Sequence, residues 1–238
     1  MSDSKLQHVK LFADGADLAG ILALYADPAI RGFTTNPTLM RQAGIVDYES
    51  FARSLLDAIT DRPISLEVFA DDAVDMERQA VKIASWGENV YVKIPVTNTQ
   101  REFMGPLLRR LVADGVKVNV TAMMTAEQVE QVTECIAGVP PAYVSVFAGR
   151  IADTGRDPLP IMRDSLRVID AHPDIELIWA SPREILNVVQ ADEIGCDIIT
   201  VTHDLLKKLG GLGKDLYQFS LETVQMFHRD AQSSGFQL

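Results

Sequence analysis

Val90-Tyr91-Val92-Lys93-Ile94-Pro95-Val96 is an apolar, β-branched run broken by a single charge. Its apolar positions do not alternate with polar ones. A strand that is apolar on both faces belongs in a parallel sheet covered by helices. Further runs of this kind lie at 9–13, 30–35, 64–69, 116–121, 143–148, 177–180 and 198–201, which with 90–94 makes eight. Helical patterns fill the gaps. Residues 47–61 carry Phe51, Leu55 and Ile59 at a spacing of four. Residues 72–86 open on acidic side chains, as a helix N-terminus prefers. Residues 125–137 place Gln128 where a capping box needs it. Residues 182–191 predict a helix capped by Ser181 with Pro182 first. A long final helix is expected over 214–232.

Eight alternating βα units predict a (β/α)8 TIM barrel, one domain over 1–238, with an additional C-terminal helix. A doubly wound open sheet would place a Gly-rich turn after its first strand. Here that strand ends Phe12-Ala13-Asp14-Gly15, which lacks the fingerprint. Gly210-Gly211-Leu212-Gly213-Lys214 lacks Walker spacing and reads as a link between two helices.

Composition narrows the function. The chain has 238 residues, a net charge of −11, 47% hydrophobic residues and a mean hydropathy of +0.07. That apolar fraction supports a large core and excludes disorder. The acidic balance, with no basic run longer than a pair such as Arg109-Arg110, argues against nucleic acid. No apolar run reaches bilayer length, so no membrane association is expected. The opening Met1-Ser2-Asp3-Ser4-Lys5 is polar, unlike a secretion signal. Cys135 and Cys196 are too few for a disulfide framework and read as core, which suits a reducing cytoplasm. The four histidines show no metal-ligand spacing, so no metal is expected; His203 flanks the helix after the last strand.

Barrels of this type carry their chemistry at the carboxyl ends of the strands. Those positions hold Asp14, Asn36, Glu67, Lys93, Asn119, Thr121, Ser145, Arg150, Ser181 and Arg183. Burial penalises the ammonium of Lys93, and a neutral amine attacks carbonyls to form Schiff bases. Equally, Lys93 could snorkel to water or pair with Glu67. Asp14 and Glu67 suit proton transfer, or else a helix cap and an ion pair. Asn36 could be a turn residue before a helix starting at Pro37. Asn119 and Ser145 could bond to each other inside the barrel. Arg150 and Arg183, with Ser181 and the helix start after it, suit a phosphate; surface salt bridges are the alternative.

Taken together, these segments resemble the transaldolase family. The resemblance rests on Thr34-Thr35-Asn36-Pro37-Thr38, Val92-Lys93-Ile94-Pro95-Val96-Thr97 and Asn119-Val120-Thr121. Ser145-Val146-Phe147-Ala148-Gly149-Arg150-Ile151 and Ala180-Ser181-Pro182-Arg183 extend it in the same order along nearly the whole chain. It implies a class I aldolase mechanism without metal or organic cofactor. Lys93 would form the Schiff base, Glu67 would move protons through a water held by Thr121, and Asp14 would deprotonate the C4 hydroxyl. Asn36, Asn119 and Ser145 would hold substrate hydroxyls, and Arg150, Ser181 and Arg183 the phosphate. The implied substrates are the sugar phosphates of the pentose phosphate pathway. These are sedoheptulose 7-phosphate and glyceraldehyde 3-phosphate, giving erythrose 4-phosphate and fructose 6-phosphate.

A related lyase, fructose-6-phosphate aldolase, has Gln and Tyr at the positions of Glu67 and Phe147, so the residues here favour transfer over free cleavage. A non-catalytic sugar-phosphate binder on the same barrel is the other alternative. The chain departs from the family where Asn98-Thr99-Gln100-Arg101-Glu102-Phe103-Met104-Gly105 replaces a short Glu-Gly step. Gly15 likewise stands where a hydroxyl residue is common. Short relatives form ring assemblies, so a homo-oligomer is expected. The final helix would either pack on a neighbouring subunit or close its own barrel.

Overall fold

The computed structural model describes residues 6–138 and 140–235; the polar opening pentapeptide lies outside them. Eight parallel strands close into a barrel: β1 (Lys10–Asp14), β2 (Ile30–Thr34), β3 (Ile64–Glu67), β4 (Val90–Pro95), β5 (Val118–Met123), β6 (Ala142–Val146), β7 (Ile175–Trp179) and β8 (Ile198–Thr202). Each pairs with its sequence neighbour, and β8 returns to pair with β1. All eight expected strands are present, displaced by a few residues at most. The outward side chains of β4, Val90, Val92 and Ile94, are almost fully buried under the helices. This is why the run shows no polar alternation.

The helices are α1 (Leu18–Tyr25), α2 (Pro37–Gln42), α3 (Tyr48–Ala58), α4 (Ala73–Ala84), α5 (Gly105–Ala113), α6 (Ala126–Ile136), α7 (Ala148–Ala152), α8 (Leu159–Ile169), α9 (Leu186–Glu193), α10 (His203–Leu206) and α11 (Leu216–Ser234). Local chemistry starts several of them. Asp72 accepts from the N–H groups of Val74 and Asp75 to cap α4. Thr125 and Gln128 form the expected capping box of α6. The Gly-rich stretch overlaps the 3-10 turn Leu209–Gly211 and joins α10 to α11 as expected.

One expected helix differs. Ser181 does not cap a helix: it adopts φ +62°, and α9 starts only at Leu186. The N–H groups of Arg183 and Glu184 are instead held by the side chain of Asn187. The Ser-Pro start signal is overridden by this backward cap.

Inside the barrel the lower end is plugged by aromatic rings. Tyr91 and Tyr143 stack at 4.0 Å between centroids, and Phe12 meets Tyr143 edge-on at 5.8 Å. Gly32 admits this plug, because a Cβ there would lie 2.5 Å from the Phe12 ring. Both cysteines are buried, and burial pushes the Cys196 thiol up to about 12. Helix α11 contributes no buried residue, so it does not close its own barrel. Among the described residues no helix is long and apolar enough to cross a membrane.

Candidate active site

Register assembles the centre of the site. Glu67 pairs with Lys93 across β3 and β4, and Lys93 pairs with Asn119 across β4 and β5. Residues opposite one another in a barrel share a face. Lys93 is only 7% exposed, which excludes snorkelling. Its Nζ lies 3.0 Å from Glu67 Oε2 and donates to the Thr35 carbonyl at 3.1 Å. The pairing that the sequence left open is therefore present. It gives the amine an adjacent proton acceptor, as a lysine nucleophile requires. The aromatic plug lies below, so the amine sits at the base of a pocket opening toward the strand carboxyl ends.

Asp14 ends β1, in register with Thr34 on one side and Thr202 on the other. It caps no helix: the cap of α1 is Asp17. Thr34 Oγ1 donates to Asp14 Oδ1 at 2.7 Å, and its oxygen also meets the Thr200 hydroxyl. Burial pushes the Asp14 carboxyl above its ordinary value, while Lys93 and the Thr34 hydrogen bond pull it partly back. A carboxylate raised in this way is a stronger base.

Asn119 is fully buried and bridges three strands. It donates to Ser65 at 3.0 Å and accepts from Ser145 at 2.7 Å. The cross-bonding alternative thus holds, and it fixes the orientation of both side chains. Asn36 is also a structural residue, since its Oδ1 caps α2 through Leu39 N–H at 3.0 Å, with Pro37 as the first helical residue. Thr121 lies two residues beyond Asn119 on the same face. Its hydroxyl is buried and has no hydrogen-bond partner among the described residues. Ala122 follows at φ +65°, where the pairing of β5 with β6 shifts register. Strain of this kind concentrates at functional sites.

Strands β6 and β7 bring the arginines together. A Cβ on Gly149 would strike the Ser181 carbonyl at 1.6 Å, so only glycine lets α7 approach this loop. Arg183 Nη1 donates to Ser181 Oγ at 3.1 Å, and its Nε to Asp153 Oδ1 at 3.0 Å. Hydrogen bonding from Arg183 holds the Asp153 carboxyl below its ordinary value, and Arg150 adds to the effect. Arg183 is thus in the surface ion pair that was its alternative, while remaining beside Ser181. Arg150 lies on α7, exposed, with its guanidinium 5.8 Å from the Phe147 ring centroid. The helix start expected to add donors beside Ser181 is absent, for the reason given above.

Thr34, Ser65, Thr35 through its carbonyl, and Asp153 were not among the expected site residues. Thr34 and Ser65 were findable, since they are inward polar residues on apolar strands. Asp153 was not, because it meets Arg183 across 30 residues of chain. The atypical loop after β4 folds back on itself through a Thr97–Phe103 bridge. It is pinned to the β3–α4 loop by two bonds from Thr99 to Asp71.

Known proteins share this architecture. The chain resembles a dihydrodipicolinate synthase from Rhodopseudomonas palustris with a TM-score of 0.58 and 15% identity, covering 90% of this chain and 79% of that one. It resembles a putative fructose-1,6-bisphosphate aldolase from Coccidioides immitis with a TM-score of 0.54 and 15% identity, covering 84% and 78%. Those likenesses concern the fold alone. In sequence, probable transaldolases from Methanococcus maripaludis (strain C7) and Thermoanaerobacter sp. are each 34% identical over 202 residues, 84% of this chain and 89% of theirs. A probable transaldolase of Dehalococcoides mccartyi is 32% identical over 84% of this chain and 90% of its own. The family model for transaldolase/fructose-6-phosphate aldolase matches residues 11–238, and the chain belongs to that family.

Proposed function

We propose that the protein is a transaldolase that moves a dihydroxyacetone unit between sugar phosphates through a Schiff base on Lys93. The observation that carries this reading is the buried Lys93 amine, in register between Glu67 and Asn119 and 3.0 Å from the Glu67 carboxylate.

Lys93 Nζ attacks C2 of a ketose phosphate and passes its proton to Glu67. Glu67 then protonates the departing C2 oxygen through a water held by the Thr121 hydroxyl, and the iminium forms as water leaves. Asp14 takes the proton of the C4 hydroxyl. The C3–C4 bond breaks, its electrons flow into the iminium, and an aldose phosphate departs. The remaining enamine attacks the carbonyl of the acceptor aldose phosphate. Asp14 returns its proton to the new hydroxyl, and hydrolysis frees Lys93. Asn119 and Ser145, fixed by their mutual bond, hold the three-carbon hydroxyls. Asn36 offers its Nδ2, since its Oδ1 is used in the cap.

Arg150, Ser181 and Arg183 take the phosphate, with Arg183 preorganised by Asp153. Phe147 brings no phenol to protonate the enamine, which favours survival of the intermediate until an acceptor arrives. The donors and acceptors are those of the pentose phosphate pathway. The two buried free cysteines agree with work in a reducing cytoplasm.

The test combines borohydride trapping with product analysis. Fructose 6-phosphate plus borohydride gives a reduced dihydroxyacetone adduct that peptide mapping assigns to Lys93. Erythrose 4-phosphate is required for turnover. Absence of an adduct refutes the Schiff base, and acceptor-independent release of dihydroxyacetone makes the enzyme a lyase instead.

The same reading covers assembly. Helix α11 exposes the large apolar side chains Leu216, Tyr217, Phe219, Leu221, Val224, Met226 and Phe227, and a clustered apolar face of this kind marks an interaction surface. A second copy of the chain covers it, as in a homo-oligomer. Light scattering gives a particle well above the 26.2 kDa chain mass, and a monomer at micromolar concentration refutes this.

A further inference from the structure

Strand β3 ends at Glu67. The carbonyl of that residue lacks the partner that the strand ladder would supply. Strands β2 and β3 are in register at Phe33 with Ile64 and at Thr34 with Ser65. The Phe33 N–H donates to the Pro63 carbonyl at 2.9 Å, and the Thr35 N–H to the Ser65 carbonyl at 3.2 Å. A parallel ladder repeats every second residue, so the next bond would run from residue 37 to the Glu67 carbonyl. Residue 37 is Pro37, which has no N–H and opens α2.

The donor comes from α3 instead. Asp47 caps that helix through the Ser50 N–H at 3.0 Å, which makes Tyr48 its first residue. From there the Tyr48 hydroxyl donates to the Glu67 carbonyl at 2.9 Å. The ring is half-buried, edge-on to Phe69 at 5.4 Å and tilted against Trp86 at 6.0 Å between centroids. Burial pushes the Tyr48 phenol above its ordinary value, so it keeps its proton and remains a donor.

At the other end of the same peptide, the Val68 N–H donates to the Lys93 carbonyl at 3.1 Å. The Glu67–Val68 peptide is therefore held at both ends. One of its holders is the backbone of the lysine whose amine lies 3.0 Å from the Glu67 carboxylate. The N–H groups of Phe69 and Ala70, next along the chain, both donate to Gln79 Oε1, at 2.8 and 3.0 Å. Fixing this peptide fixes the direction of the Glu67 Cα–Cβ bond, and so where the carboxylate reaches.

We propose that Tyr48 is a positioning residue for Glu67. Its hydroxyl replaces the ladder donor that Pro37 lacks, anchors the end of β3 and holds the carboxylate against the Lys93 amine for proton transfer. This rests on the reading of Glu67 as the proton carrier of imine formation.

The test is a rapid-quench time course of imine formation. Enzyme is mixed with fructose 6-phosphate and quenched with borohydride, in the wild type, Tyr48→Phe and Phe69→Leu. Tyr48→Phe removes one hydroxyl and keeps the ring contacts. Phe69→Leu removes a ring contact and keeps the hydroxyl. In Tyr48→Phe the rate constant for adduct formation falls about five- to fiftyfold, less than the loss of a general acid–base group outright. The amplitude stays within about twofold, because a proton carrier speeds the approach to equilibrium without moving it. The rate constant is read only from competent molecules, so partial unfolding lowers the amplitude and does not mimic the effect. Phe69→Leu keeps both quantities within about twofold of the wild type. A wild-type rate constant in Tyr48→Phe, a loss confined to the amplitude, or an equal slowing in Phe69→Leu overturns the proposal and leaves the Schiff base standing. If the wild type traps nothing, the Schiff-base reading fails and takes this proposal with it.

Discussion

Lys93→Ala abolishes transfer, lowering kcat/KM by on the order of 10⁵-fold or more, to the uncatalysed background. No other lysine belongs to the strand positions that build the site. The remaining partners, Glu67 and the Thr35 carbonyl, can hold a substrate but cannot bond to C2. The barrel itself persists, since Lys93 contributes one side chain to an interior otherwise held by strand pairing and the aromatic plug. Far-UV circular dichroism and gel filtration check the fold, and a coupled assay checks the rate. Borohydride trapping on this variant gives no adduct. Turnover above about 1% of the wild type would move the chemistry to another group and remove the central assignment.

Asp14→Asn separates two steps. Cleavage and re-formation of the C3–C4 bond slow by about 10²–10⁴-fold, the range for loss of a positioned general base. Imine formation continues, so borohydride still traps Lys93 with the uncleaved ketose. Loss of trapping would instead place Asp14 in imine formation.

The same variant is more stable at neutral pH. Burial is the main cause of the raised Asp14 carboxyl. Below the unfolded value of 3.8 both states hold the proton, and the native state pays no ionisation penalty. As pH rises through the raised native value, the folded protein must ionise a buried carboxyl and loses stability relative to the unfolded chain. Asparagine cannot ionise, so its melting temperature exceeds that of the wild type at pH 7, and the gap closes on acidification. A lower melting temperature at pH 7 would mean that Thr34 and Lys93 outweigh burial. Such a site trades stability for function.

The strands were legible because parallel strands covered on both sides leave continuous apolar runs, and β4 shows this in Val90, Val92 and Ile94. The caps at Asp72 and Thr125 were legible because their partners lie two or three residues away. Ser181-Pro182 carried an equally plain start signal and was misleading. Its competitor, the Asn187 side chain, was itself only a few residues off but held the backbone in a non-helical turn. The site was legible as a set of polar residues at strand ends, with the Asn119–Ser145 bond and the Lys93–Glu67 pair open as alternatives. The partnership of Arg183 with Asp153 was not legible, because the two meet across 30 residues.

From sequence alone came the barrel, the identity of the lysine at the centre of its site and the acids that accompany it. Periodicity and composition are local, and burial on two faces leaves its mark on every residue of a strand. Only the closed tertiary structure decided that Lys93 pairs with Glu67 instead of reaching water, that Arg183 is held by Asp153, and that His203 packs against Gly15. Those contacts depend on strand register and barrel closure, which bring β8 back to β1 across almost the whole chain, and no local pattern records them.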